Sequence, residues 1–193
     1  MDAITFWGNV ALELNKKDHS KASELREQQG PCFSSRALAI TFAAFHDAFK
    51  AGGKLPGRYL FRASAHVGSR AVGRTAGGRA AYICLLRLYP SEASFLEGEY
   101  TAFVSALRAM EDGPTDDEFQ QGIALGDSAA DTILCARTGD GAAAANPRDH
   151  TSTTLPGAHI PDPLHPDQGF YGAKWGTVEP FVLSRLDLSL IHI

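Results

Sequence analysis

Apolar side chains recur at helical spacing along most of residues 1–140, and the N-terminal segment shows the pattern first. Asp2 is a residue type that caps helix N-termini by accepting backbone hydrogen bonds. The pattern continues to about Lys17 and predicts a moderately amphipathic helix between these two residues. The side chains that share its apolar face are Phe6, Trp7, Val10 and Leu14.

A second and more apolar helix is predicted from Arg36 to Lys50. Ser34 or Ser35 would cap its start, and Gly52-Gly53 would end it. One apolar stripe consists of Leu38, Phe42, Phe45 and Phe49, and the adjacent face of Ala37, Ile40, Ala44 and Ala48. Because most of its circumference is apolar, we expect this helix at the centre of the fold.

Two further apolar segments follow a Gly- and Arg-rich stretch, Gly68–Arg79. The first, Ala80–Tyr89, would also suit a buried strand, but a helix is favoured because no turn signal separates it from its Ala-containing lead-in. Pro90 ends it, and a clearly amphipathic helix is predicted after Ser91. The residues on the apolar face of that helix are Leu96, Tyr100, Phe103 and Leu107.

A capping box, Thr115-x-x-Glu118, predicts the start of a fifth helix that ends near Gly139. Its apolar positions are Phe119, Ile123, Ala130, Ile133 and Leu134. Gly122 and Gly126 lie four residues apart on it, a spacing that permits close approach of a neighbouring helix.

The helical pattern is lost from Arg137 to Pro180, where five prolines lie between Pro147 and Pro166. An irregular segment of this length is either a disordered linker or a segment that lies across a domain surface. The aromatic-rich stretch 169–176 favours the second interpretation, because disordered linkers are poor in aromatic residues.

These patterns predict an all-α protein, an incomplete bundle of about five helices with a long irregular Pro-rich C-terminal segment. The expected division is a helical domain over 1–140, an irregular segment over 141–187 and a foreign end over 188–193. One permitted codon choice for Leu188–Ile193, CTG TCT CTT ATA CAC ATC, looks like the transposon end left in sequencing libraries. We therefore expect the chain to be truncated, so that whatever chemistry a longer parent protein performs lies downstream of Asp187.

Composition and charge narrow the classes of function. The chain is 44% hydrophobic and 21% charged, a globular balance, and its net charge of -4 provides no basic surface for nucleic acid or anionic lipid. No apolar run approaches the roughly 20 residues of a membrane-spanning helix, and Met1–Thr5 do not begin a signal peptide. A soluble protein is expected, with no nucleic-acid or membrane partner and its compartment undetermined.

Cysteines and histidines supply few candidates for metal binding. Cys32, Cys84 and Cys135 have neither zinc-site nor disulfide-framework spacing, and are expected to be buried small apolar residues. Two imidazoles and two carboxylates lie within nine positions and could gather a divalent ion: His159, Asp162, His165 and Asp167. The interposed prolines keep this stretch extended, so a structural interpretation is favoured and no metal is predicted.

Charged residues in the second helix and in the Gly-rich stretch are the other candidates. Arg36 and Asp47 are eleven positions apart, about 16 Å along a helix, so each is expected to contact other helices, as is His46; a catalytic role is the alternative. The Gly73–Arg79 stretch lacks a true phosphate-loop motif. Nearby arginines could approach an anion, although a solvated face is the usual explanation: Arg58, Arg62, Arg70, Arg74 and Arg79.

An ordered set of segments resembles the N-terminal helical region of vanadium-dependent haloperoxidases. In the first half these are Phe6–Glu13, Lys17–His19, Gly30–Ile40 and Ala44–Ala48. Further along they are Leu88–Ser91, Gly122–Gly126 and Trp175–Phe181. The resemblance covers nearly the whole chain up to Asp187.

The resemblance implies a parent that oxidises chloride, bromide or iodide with hydrogen peroxide at bound vanadate. The family's motifs, Lys-x6-Arg-Pro, Pro-Ser-Gly-His and Ser-Arg-x5-His, do not occur here. Six residues instead of five lie between Ser184-Arg185 and His192, and Ser35-Arg36 places Phe42 at the histidine position. No catalytic, cofactor-binding or metal-binding residue is therefore predicted, and vanadate is expected only in the parent.

On this interpretation the fragment is inactive and packs against the catalytic bundle that follows it in the parent, for which a homo-oligomer is an option. Two alternatives stay open. One is a fragment of a related phosphatase of the type 2 phosphatidic acid phosphatase superfamily, which would share the catalytic bundle. The other is a self-sufficient helical interaction module, which requires 188–193 to be genuine.

Overall fold

The computed structural model describes residues 1–63, 68–145, 155–156, 158, 160, 162–168 and 170–183. These residues form α-helices and short 3₁₀ turns and contain no β-strand, so the predicted all-α class is confirmed. The helices are α1 (Ala3–Ser20), α2 (Gly30–Gly52), α3 (Arg70–Leu88), α4 (Ala93–Arg108) and α5 (Asp116–Arg137). The predicted foreign end, 188–193, lies outside the described residues.

The chain divides into two compact units, Met1–Arg137 and Thr138–Ile193. All five helices belong to the first unit. Within the described part of the chain, no helix has both the length and the apolar character needed to cross a membrane.

Two helix starts follow their local sequence signals. The Asp2 carboxylate accepts a hydrogen bond from the backbone N–H of Ile4 at 3.2 Å and thereby caps α1. At the start of α5, Thr115 N–H donates to Glu118 Oε2 at 3.0 Å, and Glu118 N–H donates to Thr115 Oγ1 at 3.3 Å. This reciprocal pair is the predicted capping box.

Two other helices begin earlier than predicted. Helix α2 starts at Gly30 with a proline in its first turn, so Ser34 lies inside it and donates to the carbonyl oxygen of Gly30 at 2.8 Å. Neither Ser34 nor Ser35 is the cap. Helix α3 starts at Arg70, where Ser69 Oγ accepts from Val72 N–H at 3.1 Å, so most of the Gly-rich stretch is helical.

Helix α3 lies at the centre of the first unit, between α2 and α5, and its residues from Ala71 to Gly78 are all buried. Small residues make this possible. A Cβ atom at Gly126 of α5 would lie 2.6 Å from Arg79 Cβ, and one at Gly122 would lie 2.5 Å from Thr75 Cβ. The predicted close approach at these two glycines is confirmed, whereas the central position expected for α2 belongs to α3.

Helices α1 and α4 cover another side of α3 through an aromatic cluster. Trp7 is fully buried, and its ring centroid lies 5.4 Å from that of Phe103. Phe103 in turn packs against Gly78 of α3, where a Cβ atom would collide with its ring. The apolar faces predicted for both helices therefore meet in the core.

The second unit is irregular in its described residues, as predicted. It contains three 3₁₀ turns there: Ala142–Ala144, Pro166–Gln168 and Trp175–Thr177. Two backbone hydrogen bonds join distant positions within it, from Lys174 N–H to Ala145 O at 3.0 Å and from Glu179 N–H to Asp140 O at 2.8 Å. These bonds connect the 174–179 stretch to residues 140–145.

The cysteines differ in their surroundings. Cys84 is buried in α3, as expected, and burial raises the pKa of its thiol to about 12. Cys32 is only partly buried and Cys135 is exposed, so the expectation was wrong for these two residues. Both lie on helix faces that the first unit does not cover completely.

Candidate functional site

The Asp47 carboxylate accepts several hydrogen bonds in the first unit. Its side chain is fully buried near the end of α2. Three consecutive backbone N–H groups donate to it, those of Tyr59 at 2.5 Å and of Leu60 and Phe61 at 2.7 Å. Asp47 therefore holds the segment after α2 against the helix, and the expected contact with another helix was wrong.

The electrostatics of Asp47 reflect two opposing effects. Burial alone would raise its pKa, but the hydrogen bonds from Tyr59, Phe61 and Leu60, with that from His46, outweigh burial and lower the pKa. His46 Nδ1 lies 3.2 Å from Asp47 Oδ1, while the rest of the imidazole is largely exposed. Asp47 is thus a charged group that is held by backbone hydrogen bonds.

Asp18 has a similar position near the end of α1. It is also fully buried, and its two oxygens accept from the backbone N–H groups of Glu27 at 2.8 Å and Gln28 at 2.9 Å. Gln28 continues the connection by donating from Nε2 to the carbonyl oxygen of Leu88 at 2.8 Å. Asp18 therefore fixes the α1–α2 connection and links it to the end of α3.

His19 supports the same connection with both ring nitrogens. Nδ1 lies 2.9 Å from the carbonyl oxygen of Asn15, and Nε2 accepts from the backbone N–H of Gly30 at 3.2 Å. Because a carbonyl only accepts, the network requires the neutral tautomer with the proton on Nδ1. His19 consequently has no free nitrogen with which to bind a metal.

Lys21 lies at the centre of a charged network on the outer side of Asp18. Its Nζ contacts Glu92 Oε1 at 2.9 Å and Ser91 Oγ at 2.7 Å, and lies 3.8 Å from Asp18 Oδ1. Glu27 accepts from both the backbone N–H and the hydroxyl of Ser91. The hydrogen bond to Glu92 and the surrounding carboxylates raise the pKa of Lys21, so the network is held in its charged form.

Three of the arginines singled out from the sequence are engaged by protein groups. Arg36 Nη2 donates to the carbonyl oxygen of Arg137 at 2.9 Å, which is the expected tie to another helix, α5. Arg74 is almost completely buried and pairs with Asp112, with Nη1 3.0 Å from Oδ1. Arg79 pairs with Asp127 at 2.7 Å and lies over the ring of Tyr100.

The solvated-face explanation is therefore wrong for Arg74 and Arg79. It holds for Arg62 and Arg70, whose residues are exposed, while Arg58 is half-buried. The five arginines do not converge on one anion site, because two of them are already paired with carboxylates, Arg74 with Asp112 of the α4–α5 connection and Arg79 with Asp127 of α5.

The histidines and aspartates that the sequence analysis weighed as metal ligands lie in the second unit. His165 is exposed, and so are Asp162 and Asp167, whereas His159 lies outside the described residues. Among the residues that the structure describes, no group of three or more His, Cys, Asp or Glu side chains could hold a metal ion.

Arg74, Arg79 and His19 do not form a site for a vanadate ion. Vanadate would need cationic donors with free hydrogen-bonding capacity and a histidine nitrogen that is free to ligate it. Arg74 and Arg79 are paired with carboxylates, and both nitrogens of His19 are occupied. The polar groups assembled in the first unit serve the helix ends instead.

Comparison of the chain with protein-family models, with curated proteins and with solved structures found no match. The resemblance to haloperoxidases thus has only the sequence segments themselves as support.

Sequence reasoning singled out Asp47 but overlooked Asp18, Lys21 and their partners. A signal was present, since Asp18 continues the buried stripe of Trp7 and Leu14 at helical spacing. An acidic residue on an apolar stripe requires buried hydrogen-bond donors. In both cases the donors are backbone groups, which leave no trace in residue type.

Proposed function

We propose that this chain is the N-terminal helical part of a vanadium-dependent haloperoxidase and that it acts as a scaffold for catalytic residues elsewhere in the parent. The observation that supports this proposal is the position in the structure of the segments that resemble the family. The Lys17–His19 segment supplies Asp18 and His19, and Ala44–Ala48 supplies Asp47, which together fix the ends of α1 and α2.

These contacts support a structural role for the landmark residues. A carboxylate that accepts several backbone hydrogen bonds in a buried setting stabilises a particular chain path, and its substitution leaves those donors unsatisfied. In the proposed parent, vanadate would be held by the three family motifs, which this sequence does not contain. The cofactor would activate peroxide there for attack by halide.

The partner implied by the proposal is the catalytic helical bundle of the same polypeptide. Extending the gene beyond the codon for Asp187 tests this directly. We expect Lys-x6-Arg-Pro, Pro-Ser-Gly-His and Ser-Arg-x5-His within the next few hundred codons. A genuine stop codon at that point would contradict the proposal and favour a self-sufficient helical module. An extended protein that hydrolyses phosphate esters but does not oxidise halide would favour the related phosphatase.

An activity assay provides the second test. The 193-residue chain, incubated with orthovanadate, bromide and hydrogen peroxide, should not brominate monochlorodimedone, whereas the extended protein should. Turnover by the 193-residue chain that is abolished by chelating vanadium would overturn the scaffold role.

A further inference from the structure

A groove of about 560 Å³ opens between the start of α1, the second half of α2 and the first turns of α3. Ala3, Ile4, Phe45 and Phe49 form its apolar surface. Phe45 and Phe49 are one helical turn apart and stack, with ring centroids 6.1 Å apart and planes inclined by 8°. Gly77 of α3 supports the Phe45 ring from behind, since a Cβ atom there would lie 3.0 Å from it.

Basic side chains lie along the same groove. Lys50 comes from α2, and Arg70 and Arg74 are one turn apart on α3. The hydrogen bond from Ser69 N–H to Gly52 O, at 3.1 Å, brings the end of α2 beside the start of α3, so Lys50 and Arg70 belong to neighbouring helix ends.

The acidic groups near the groove have other partners. Among the lining residues that the structure describes, Asp2 is the only carboxylate, and it accepts from Ile4 N–H and from Thr5 Oγ1. Asp112 pairs with Arg74. Within the described part of the chain, neither Lys50 nor Arg70 forms a salt bridge. The hydrogen bond from Arg74 and the nearby charge of Arg70 lower the pKa of Asp112, so Arg70 is partly balanced, but positive groups still outnumber negative ones beside the apolar surface.

The carbonyl oxygens at the end of α2 already have hydrogen-bond donors and do not compete for the side chains of Lys50 and Arg70. These oxygens accept backbone hydrogen bonds: Phe49 O from Gly53 N–H, Lys50 O from Leu55 N–H and Gly52 O from Ser69 N–H. The basic side chains of Lys50 and Arg70 therefore lie beside an aromatic and aliphatic wall.

We propose that this groove binds an amphipathic organic anion, with an apolar chain against Phe45 and Phe49 and a carboxylate beside Lys50 and Arg70. The volume lies in the range of ordinary small-ligand sites, which combine a mostly apolar lining with a few polar groups that fix orientation. A small inorganic anion would leave the aromatic wall uncovered, and a neutral apolar molecule would leave both cations unpaired. The proposal does not depend on the proposed haloperoxidase role.

Isothermal titration calorimetry of the full chain with decanoate tests the proposal, with decanol as the matched uncharged probe. We expect one saturable decanoate site and binding of decanol at least about tenfold weaker, a difference that corresponds to one lost charge-assisted contact. Lys50→Met and Arg70→Met, which keep an apolar stem, should each weaken decanoate binding about tenfold. Phe49→Asp should abolish it.

Lys16→Met is the matched control, because Lys16 is an exposed lysine of α1 outside the groove. It should bind decanoate like the unchanged chain, and circular dichroism of each variant verifies that the helices are intact. The proposal is overturned if the folded chain shows no saturable site, if decanol binds as tightly as decanoate, or if Lys50→Met and Arg70→Met behave like Lys16→Met.

Discussion

Helices α1 and α2 each carry a fully buried aspartate near their C-terminal end, but the two carboxylates are neutralised differently. Asp47 accepts three consecutive backbone N–H groups from a segment 12 to 14 residues further along the chain. Asp18 accepts two, from residues 9 and 10 positions further along, and has the Lys21 ammonium 3.8 Å away.

This difference separates two ways of holding a buried negative charge. At Asp47 the charge is balanced mainly by peptide dipoles, which are fixed once the 59–61 segment is folded. At Asp18 the charge is balanced both by peptide dipoles and by the partly exposed ammonium group of Lys21. We therefore expect Asp47 to depend on the local chain path and Asp18 to depend in addition on a screened ion network.

Removing the Asp47 carboxylate should cause the largest loss. Asp47→Ala leaves three buried or partly buried backbone donors without their acceptor and should lower the free energy of unfolding by about 4 kcal/mol. Urea unfolding followed by circular dichroism measures the loss. Limited trypsin digestion localises it, because cleavage after Arg58 and Arg62 should accelerate.

Asp47→Asn is the matched control for that prediction. The amide keeps one carbonyl oxygen as an acceptor, so its loss should be about half as large. If Asp47→Ala and Asp47→Asn both unfold like the unchanged chain, the backbone contacts of Asp47 do not stabilise the fold.

Asp18→Ala should have the second largest effect, about 3 kcal/mol, because it removes two backbone hydrogen bonds and leaves Lys21 with Glu92 and Glu27 as counter-charges. Its tryptic signature should differ from that of Asp47→Ala, with faster cleavage after Lys21 and Arg26. Equal acceleration at Arg58 in both variants would show that the two helix ends open together and would remove the distinction drawn between them.

Local sequence signals predicted much of the fold. The Asp2 cap and the Thr115–Glu118 capping box specify helix starts through side chains that contact the backbone within three residues, so no tertiary information is required. The predicted start of α3 was wrong. Helix propensity leaves the Gly-rich stretch out of the helix because glycine costs about 1 kcal/mol in a helix interior relative to alanine. Packing decides instead, since Gly73 and Gly78 lie against Gly53 and Phe103.

The polar centres were only partly predictable. A charged residue inside an apolar helix signals that Asp47 needs partners, but any segment with free backbone N–H groups could supply them. The identity of residues 59–61 as donors depends on how the chain leaves α2, including the left-handed φ of 54° at Lys54 and of 79° at Gly57. The groove beside Phe45 was likewise hidden, because its walls come from three helices.

Lowering the pH should reduce the stability that the ionised Asp47 carboxylate provides, but by less than Asp47→Ala does. The pKa of Asp47 in the folded chain lies below its ordinary value of 3.8, so its contribution to stability is fully present above that value and is lost as the pH falls through the folded pKa. The loss should be smaller than that caused by Asp47→Ala, because a protonated carboxyl still offers its carbonyl oxygen.

Comparison with Asp47→Asn isolates this effect, because hydrogen bonds also lower the pKa values of Asp112 and Glu118, which titrate in the same range. Urea unfolding between about pH 5 and pH 2 should show a steeper decline for the unchanged chain than for Asp47→Asn. Parallel declines would mean that Asp47 binds its proton equally well in the folded and unfolded chain.

Lys21→Met should have the smallest effect, about 1 kcal/mol, because the lysine is partly exposed and its loss removes screened ion pairs while both backbone hydrogen bonds to Asp18 persist. The loss should shrink in 1 M salt, where the Debye length falls to about 3 Å. Lys16→Met, which removes only the exposed pair with Glu13, is the matched control and should change stability by less than about 0.5 kcal/mol. A salt-independent loss as large as that of Asp18→Ala would mean that Lys21, and not the backbone, provides the main stabilisation of the buried charge.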